Sequence, residues 1–155
     1  MKTRPRVLIS ACLLGVNCRY DGAGQRASGI DALMEALELI PVCPEQLGGL
    51  PTPRTPAERQ GNRVVTRDGG DVTEAFTRGA VQACTLARLY GAEYAVLKAR
   101  SPSCGSGEIY DGSFSGRRIP GDGVAAAALK AMGVHVFNAA QIDTLMAEIA
   151  QKREV

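Results

Sequence analysis

Four short apolar runs, separated by longer stretches with helical spacing, constrain this chain more than any other feature. They fall at residues 6–11 (RVLISA), 39–43 (LIPVC), 94–98 (YAVLK) and 134–137 (VHVF). Each is short and nearly continuous in its apolar character, which reads as a buried strand rather than a helix. Between them, residues 30–38 place Ile30, Leu33, Met34 and Leu37 on one helical face. Residues 73–90 do the same with Phe76, Ala80, Ala83, Ala87 and Tyr90, and Gly91 supplies a stop. An alanine-rich helix over 124–132 and a terminal helix over 139–153, with Ile142, Leu145, Met146 and Ile149 inward, complete the pattern. Strands alternating with helices predict the α/β class: a single-domain, Rossmann-like parallel sheet of about four strands with helices on both faces. Residues 63–66, followed by Asp68-Gly69-Gly70, predict a short edge strand and turn. Residues 109–114 read as a loop or small hairpin around Asp111-Gly112, so a small edge hairpin is expected. Residues 51–60 hold three prolines and read as irregular loop. The 155 residues suit one domain spanning 1–155.

Charge and hydropathy exclude several functions. A net charge of +2 with no Lys/Arg block is no footprint for nucleic acid. No stretch approaches the roughly 20 apolar residues that a bilayer span needs. The basic start, Met1 to Arg6, leads into a strand rather than a signal-peptide core, so a cytoplasmic location is expected. In that compartment five cysteines argue against a disulfide scaffold.

The cysteine positions carry more. Cys12, Cys18, Cys43, Cys84 and Cys104 contain no C-x-x-C pair, which removes zinc ribbons, thioredoxin-like motifs and ferredoxin runs. His135 is the only histidine, so few zinc-enzyme ligand sets or Cys–His mechanisms are available. Cys12, Cys43 and Cys104 follow the first three predicted strands, and in a parallel sheet those strand ends share one rim where ligands bind. Cys104 stands in the turn Ser101-Pro102-Ser103-Cys104-Gly105-Ser106-Gly107, whose glycines permit a tight path. A cysteine after a strand is usually a packing residue. Three of them, each in a polar or Gly/Pro-rich turn, point to a metal centre with one open position, either an iron–sulfur cubane or zinc with water. Cys84, inside the long helix, reads as packing.

Other residues are weaker signals. Glu45, two residues after Cys43, is a candidate general acid or a solvated loop carboxylate. Asp21, beside Gly22, more often makes a turn than does chemistry, and stands as a candidate substrate contact. Arg19, Lys98 and Arg100 suit an anion near the rim or plain surface charge.

Four stretches, in order, resemble a known family. They are Ser10-Ala11-Cys12-Leu13-Leu14-Gly15 with Arg19-Tyr20-Asp21-Gly22; Val42-Cys43-Pro44-Glu45-Gln46-Leu47-Gly48-Gly49-Leu50-Pro51-Thr52-Pro53-Arg54; Leu97-Lys98 with Ser101-Pro102-Ser103-Cys104-Gly105; and Tyr110-Asp111-Gly112-Ser113-Phe114. Together they look like the 2-thiouracil desulfidase family. The resemblance implies an oxygen-sensitive 4Fe–4S cluster held by Cys12, Cys43 and Cys104, with Cys18 in reserve as ligand or nearby thiol. It implies removal of sulfur from a small thiolated base, without net redox change. Glu45 would then handle the proton of an attacking water, and Ser101 and Ser103 would orient the ring or stabilise developing charge. A cluster or small-ligand carrier, or a metal-free cysteine enzyme, are the competing expectations.

Overall fold

The computed structural model describes residues 4–153. In chain order the strands and helices are β1 (Arg6–Ser10), α1 (Ile30–Ala36), β2 (Glu38–Val42), α2 (Pro44–Leu47), β3 (Ala57–Gln60), β4 (Arg63–Thr66), α3 (Thr73–Tyr90), β5 (Tyr94–Leu97), β6 (Glu108–Tyr110), β7 (Arg118–Pro120), α4 (Val124–Ala131), β8 (His135–Asn138) and α5 (Ile142–Arg153). Four strands form one parallel sheet in the order β2-β1-β5-β8.

The central strand shows why the fold forms. Val7, Leu8 and Ile9 are all fully buried, and alternate side chains leave a strand on opposite faces. Val7 and Ile9 join Ile30 and Leu33 of α1 with Leu145 and Ile149 of α5. Leu8 joins Ala83 and Ala87 of α3 with Ala126 and Leu129 of α4. One helical layer therefore covers each face, as the strand–helix alternation predicts.

Small residues bring the second layer close. At Gly79 of α3 a Cβ would stand 1.9 Å from the Pro44 carbonyl oxygen, and at Gly48 one would stand 2.0 Å from that of Ala75. The short α2 thus rests on α3 backbone to backbone. Pro44 opens α2 at the first helical position, where a missing N–H costs nothing.

Several expectations need correction. The end of the presumed loop 51–60 is β3, which pairs antiparallel with β4. Its residues, Ala57-Glu58-Arg59-Gln60, show no apolar alternation by which it could be seen. The second hairpin pairs β6 with β7, and Asp111-Gly112 begins the connecting loop instead of forming a two-residue turn. Both hairpins stand apart from the main sheet. Met34 and Tyr90, on the predicted apolar helical faces, are solvent-exposed.

The order β2-β1-β5-β8 matters for function. The chain runs outward from β1 to β2, then returns to lay β5 on the other side of β1. Beyond the carboxyl ends of β1 and β5 the connections diverge, opening the crevice where ligands of such sheets bind.

Candidate active site

A cavity of ≈ 400 Å³ occupies that crevice, and Cys12, Cys18, Cys43 and Cys104 all line it. Each thiol arrives by a different local device. Cys12 lies in the 3-10 turn Ala11–Leu14 directly after β1. Cys43 is the extended residue that caps α2 after β2. Cys104 follows β5 in a loop braced by Ser101, whose Oγ accepts the backbone N–H groups of Ser103 (3.1 Å) and Cys104 (3.0 Å). Cys18 comes from the loop after the 3-10 turn, and its carbonyl accepts the Cys43 Sγ at 3.7 Å. Cys84 stays in α3, outside the cavity wall.

Burial and mutual proximity set the electrostatics of these thiols. Burial pushes the Cys104 thiol up to about 12; a hydrogen bond from Ser10 opposes this, while Glu45, Cys12 and Cys43 add to it. Burial also raises Cys12, with Lys98 and Arg19 pulling the other way and Cys43 pushing further. Cys18 is raised by burial first, then by Cys43 and Cys12. Several thiolates this close are disfavoured by desolvation and by one another. A bound metal cation reverses both effects, deprotonating the thiols it ligates. Among the described residues no three His, Cys, Asp or Glu side chains converge tightly enough to hold one metal ion. The donor set at the cavity, thiols with no histidine among them, fits a thiolate-bound iron–sulfur group.

Glu45, on the first turn of α2, also lines the cavity, and its Oε2 lies 3.2 Å from Arg54 Nη2. Ser101, Arg19, Lys98 and Arg100 line it as well. Ser103 and Asp21 are placed differently. Ser103 is fully buried, its Oγ has no hydrogen-bond partner among the described residues, and its carbonyl accepts the N–H groups of Ala125 and Ala126 at the start of α4. Asp21 closes its turn by accepting the Ala23 N–H at 3.0 Å and pairs with Arg19 at 3.5 Å, outside the wall. His135, with its side chain 61% exposed at the start of edge strand β8, pairs with Glu148 away from the cavity.

Sequence reasoning passes over the residues of the far wall. Glu58, Arg67, Tyr110 and Phe114 come from the two hairpins and complete the cavity. Glu58 Oε1 accepts the backbone N–H groups of Gly112 (2.9 Å) and Phe114 (3.1 Å). Phe114 is held at φ 58°, a left-handed conformation that a bulky residue rarely adopts. Its visible signal is its place at the end of the fourth resembling stretch, which Tyr110 opens. Arg54 is likewise missed, although it closes the second of the four stretches.

A second hollow, of ≈ 530 Å³, lies at the opposite ends of the strands. In its charged lining Arg6 pairs with Glu38, Lys152 pairs with Glu93 and Arg4 donates to the Met34 carbonyl, and it holds no thiol. Strand polarity and donor chemistry both favour the thiol-lined cavity.

Fold and site together define a parallel α/β protein with a cysteine-rich crevice at its switch point. Residues 7–141 match the family model for 2-thiouracil desulfurase, and the chain belongs to that family. It is 45% identical to 4Fe-4S-dependent thiouracil desulfidase TudS, whose solved structure superposes with a TM-score of 0.91 over 96% of this chain and 99% of that one. It is also 40% identical, over 150 residues, to the uncharacterized protein YbbK of Bacillus subtilis (strain 168), a match that covers 90% of this chain and 99% of the relative. No helix among the described residues is long and apolar enough to cross a membrane.

Proposed function

We propose that this chain hydrolyses the thiocarbonyl of a small thiolated pyrimidine, C=S plus water giving C=O plus hydrogen sulfide, with a 4Fe–4S cluster held by Cys12, Cys43 and Cys104. The observation that carries the reading is the meeting of three thiols from three strand ends with Glu45 in one cavity. The family membership and the likeness to TudS support the same cofactor and reaction. When bound through three cysteines, such a cluster supplies one iron without a protein ligand, a Lewis acid for the carbon–sulfur bond.

The chain's own residues do the rest. Glu45 accepts a proton from the attacking water and returns it to the departing sulfur. Ser101 Oγ already accepts two backbone N–H groups, so its own O–H is free to donate to the oxygen that forms. Arg19, Lys98 and Arg100 favour the negative charge that grows on sulfur as its bond to carbon breaks. Ser103 and Asp21 act from outside the cavity wall, Ser103 through the Cys104 loop and Asp21 through its hold on Arg19. Cys18 is a neighbouring thiol in reserve. The cavity of ≈ 400 Å³ suits one heterocycle. Free thiols and an exposed iron belong in the reducing cytoplasm.

The test is iron and acid-labile sulfide content after anaerobic purification, followed by sulfide release from 2-thiouracil. We expect one sulfide and one uracil per thiouracil consumed, over many turnovers. Glu45→Gln should keep its iron and turn over at least about tenfold slower, within the usual 10²–10⁴ contribution of such groups. Turnover by metal-free protein, or a single stoichiometric transfer of iron and sulfide to an acceptor, would overturn the reading.

A further inference from the structure

Arg54 is a buried cation with an elaborate setting. Its side chain is 6% exposed, against 19% for Glu45. Nη2 donates to Glu45 Oε2 at 3.2 Å and to the Cys18 carbonyl at 2.9 Å. Nη1 donates to Thr52 Oγ1 at 2.9 Å and to the Pro51 carbonyl at 3.2 Å. The backbone N–H donates to the Tyr20 carbonyl at 2.7 Å. Nε is buried with no partner among the described residues, so the guanidinium is not placed to satisfy its own donors.

From this geometry we propose that Arg54 is a positioning residue for Glu45. The inference rests on the desulfuration reading above and assigns to it a residue outside the reacting groups. Glu45 stands on a helix of four residues whose backbone is seated on α3, a contact that leaves the Glu45 side chain itself without a hold. Its carboxylate therefore needs an outside hold, and Arg54 supplies it through Oε2, leaving Oε1 for the reacting water. The same Nη2 grips the Cys18 carbonyl, which also takes the Cys43 Sγ. One guanidinium thus sets the carboxylate at a fixed distance from the thiol floor. Lysine cannot replace it, because an ammonium is a point charge without the planar fork that reaches several acceptors at once.

The experiment is a double-mutant cycle on the anaerobically reconstituted holoenzyme with 2-thiouracil: Arg54→Lys and Arg54→Met, each alone and combined with Glu45→Gln. Iron content should stay at the wild-type level in Arg54→Lys. Its kcat should fall about tenfold with KM changed less than about twofold, whereas in the Glu45→Gln background it should lower kcat by less than about twofold. Equal kcat losses in both backgrounds, a rise in KM alone, or loss of iron would overturn the proposal.

Metal-free protein gives a second readout independent of turnover. Tm should fall on replacing either partner, and the double variant should fall no further than the worse single one. Additive Tm losses would refute the pairing. If wild-type holoenzyme releases no sulfide, the function proposed above fails by itself, and this metal-free cycle still decides whether Arg54 holds Glu45.

Discussion

Ser10 Oγ accepts the backbone N–H of Lys98 at 2.9 Å, and this bond joins the carboxyl ends of β1 and β5 just before the chain departs toward Cys12 and Cys104. Ser10 is 2% exposed, so water cannot take its place. Ser10→Ala leaves the Lys98 N–H unpaired and should cost about 1–3 kcal/mol. Urea unfolding of the metal-free protein measures this; a loss below about 0.5 kcal/mol, ordinary for a surface change, would refute it.

Four thiols share the cavity, and the proposal that Cys12, Cys43 and Cys104 hold the cluster makes different predictions for each. Cys12→Ala, Cys43→Ala and Cys104→Ala should each abolish retention of iron and acid-labile sulfide. Cys84→Ala should not, since its thiol sits in α3 away from the wall. Cys18→Ala separates a reserve thiol from a ligand, and full loading is the expected result. Metal analysis under anaerobic conditions reads all five variants, and full loading of any of the first three removes that residue from the set.

Acid stability should carry the mark of Asp71. Its carboxyl is held down to about 2, chiefly by hydrogen bonds from the Thr73 side chain and backbone N–H, then by Arg63. A depressed carboxyl stabilises the fold fully above its unfolded value near 4, and loses that contribution as pH falls through its folded value. Asp71→Asn should therefore lower Tm at pH 7, and the gap from wild type should close between about pH 4 and pH 2. Thermal scans across that range decide it, and a gap that is unchanged at pH 2 would contradict the assignment.

The seat of α2 on α3 tolerates no side chain. Gly79→Ala places a methyl 1.9 Å from the Pro44 oxygen, so α2 must lift. Overpacking of this kind costs about 1–3 kcal/mol. Because Cys43 and Glu45 flank Pro44, iron retention and turnover should fall together. Stability from urea unfolding and iron content are the measurements, and a variant with both unchanged would show that the helix is not seated as described.

How much of this is legible in the sequence depends on whether neighbours or distant segments make the contact. Strands β1 and β5 are visible because burial on both faces demands an unbroken apolar run. Convergence of Cys12, Cys43 and Cys104 is visible because parallel strands share one rim. Strand β4 is visible through Val64 and Val65, whereas its partner β3 is hidden, since Ala57-Glu58-Arg59-Gln60 lacks any apolar period. Met34 and Tyr90 fit the helical spacing yet stay exposed, because spacing alone does not show how far the neighbouring layer reaches. Arg54 is hidden for a different reason: its partners are carbonyls of Cys18 and Pro51 and a carboxylate of Glu45, and pairing across separate turns leaves no local pattern.

The two hairpins have a consequence for how the crevice can be altered. They wall the far side of the crevice yet contribute no strand to the main sheet. Insertions, deletions or aromatic exchanges there can reshape the doorway while the thiol floor, anchored in β1, β2 and β5, keeps its spacing. The thiol floor and the far wall thus stand on separate elements, so a change of shape in one leaves the backbone of the other in place.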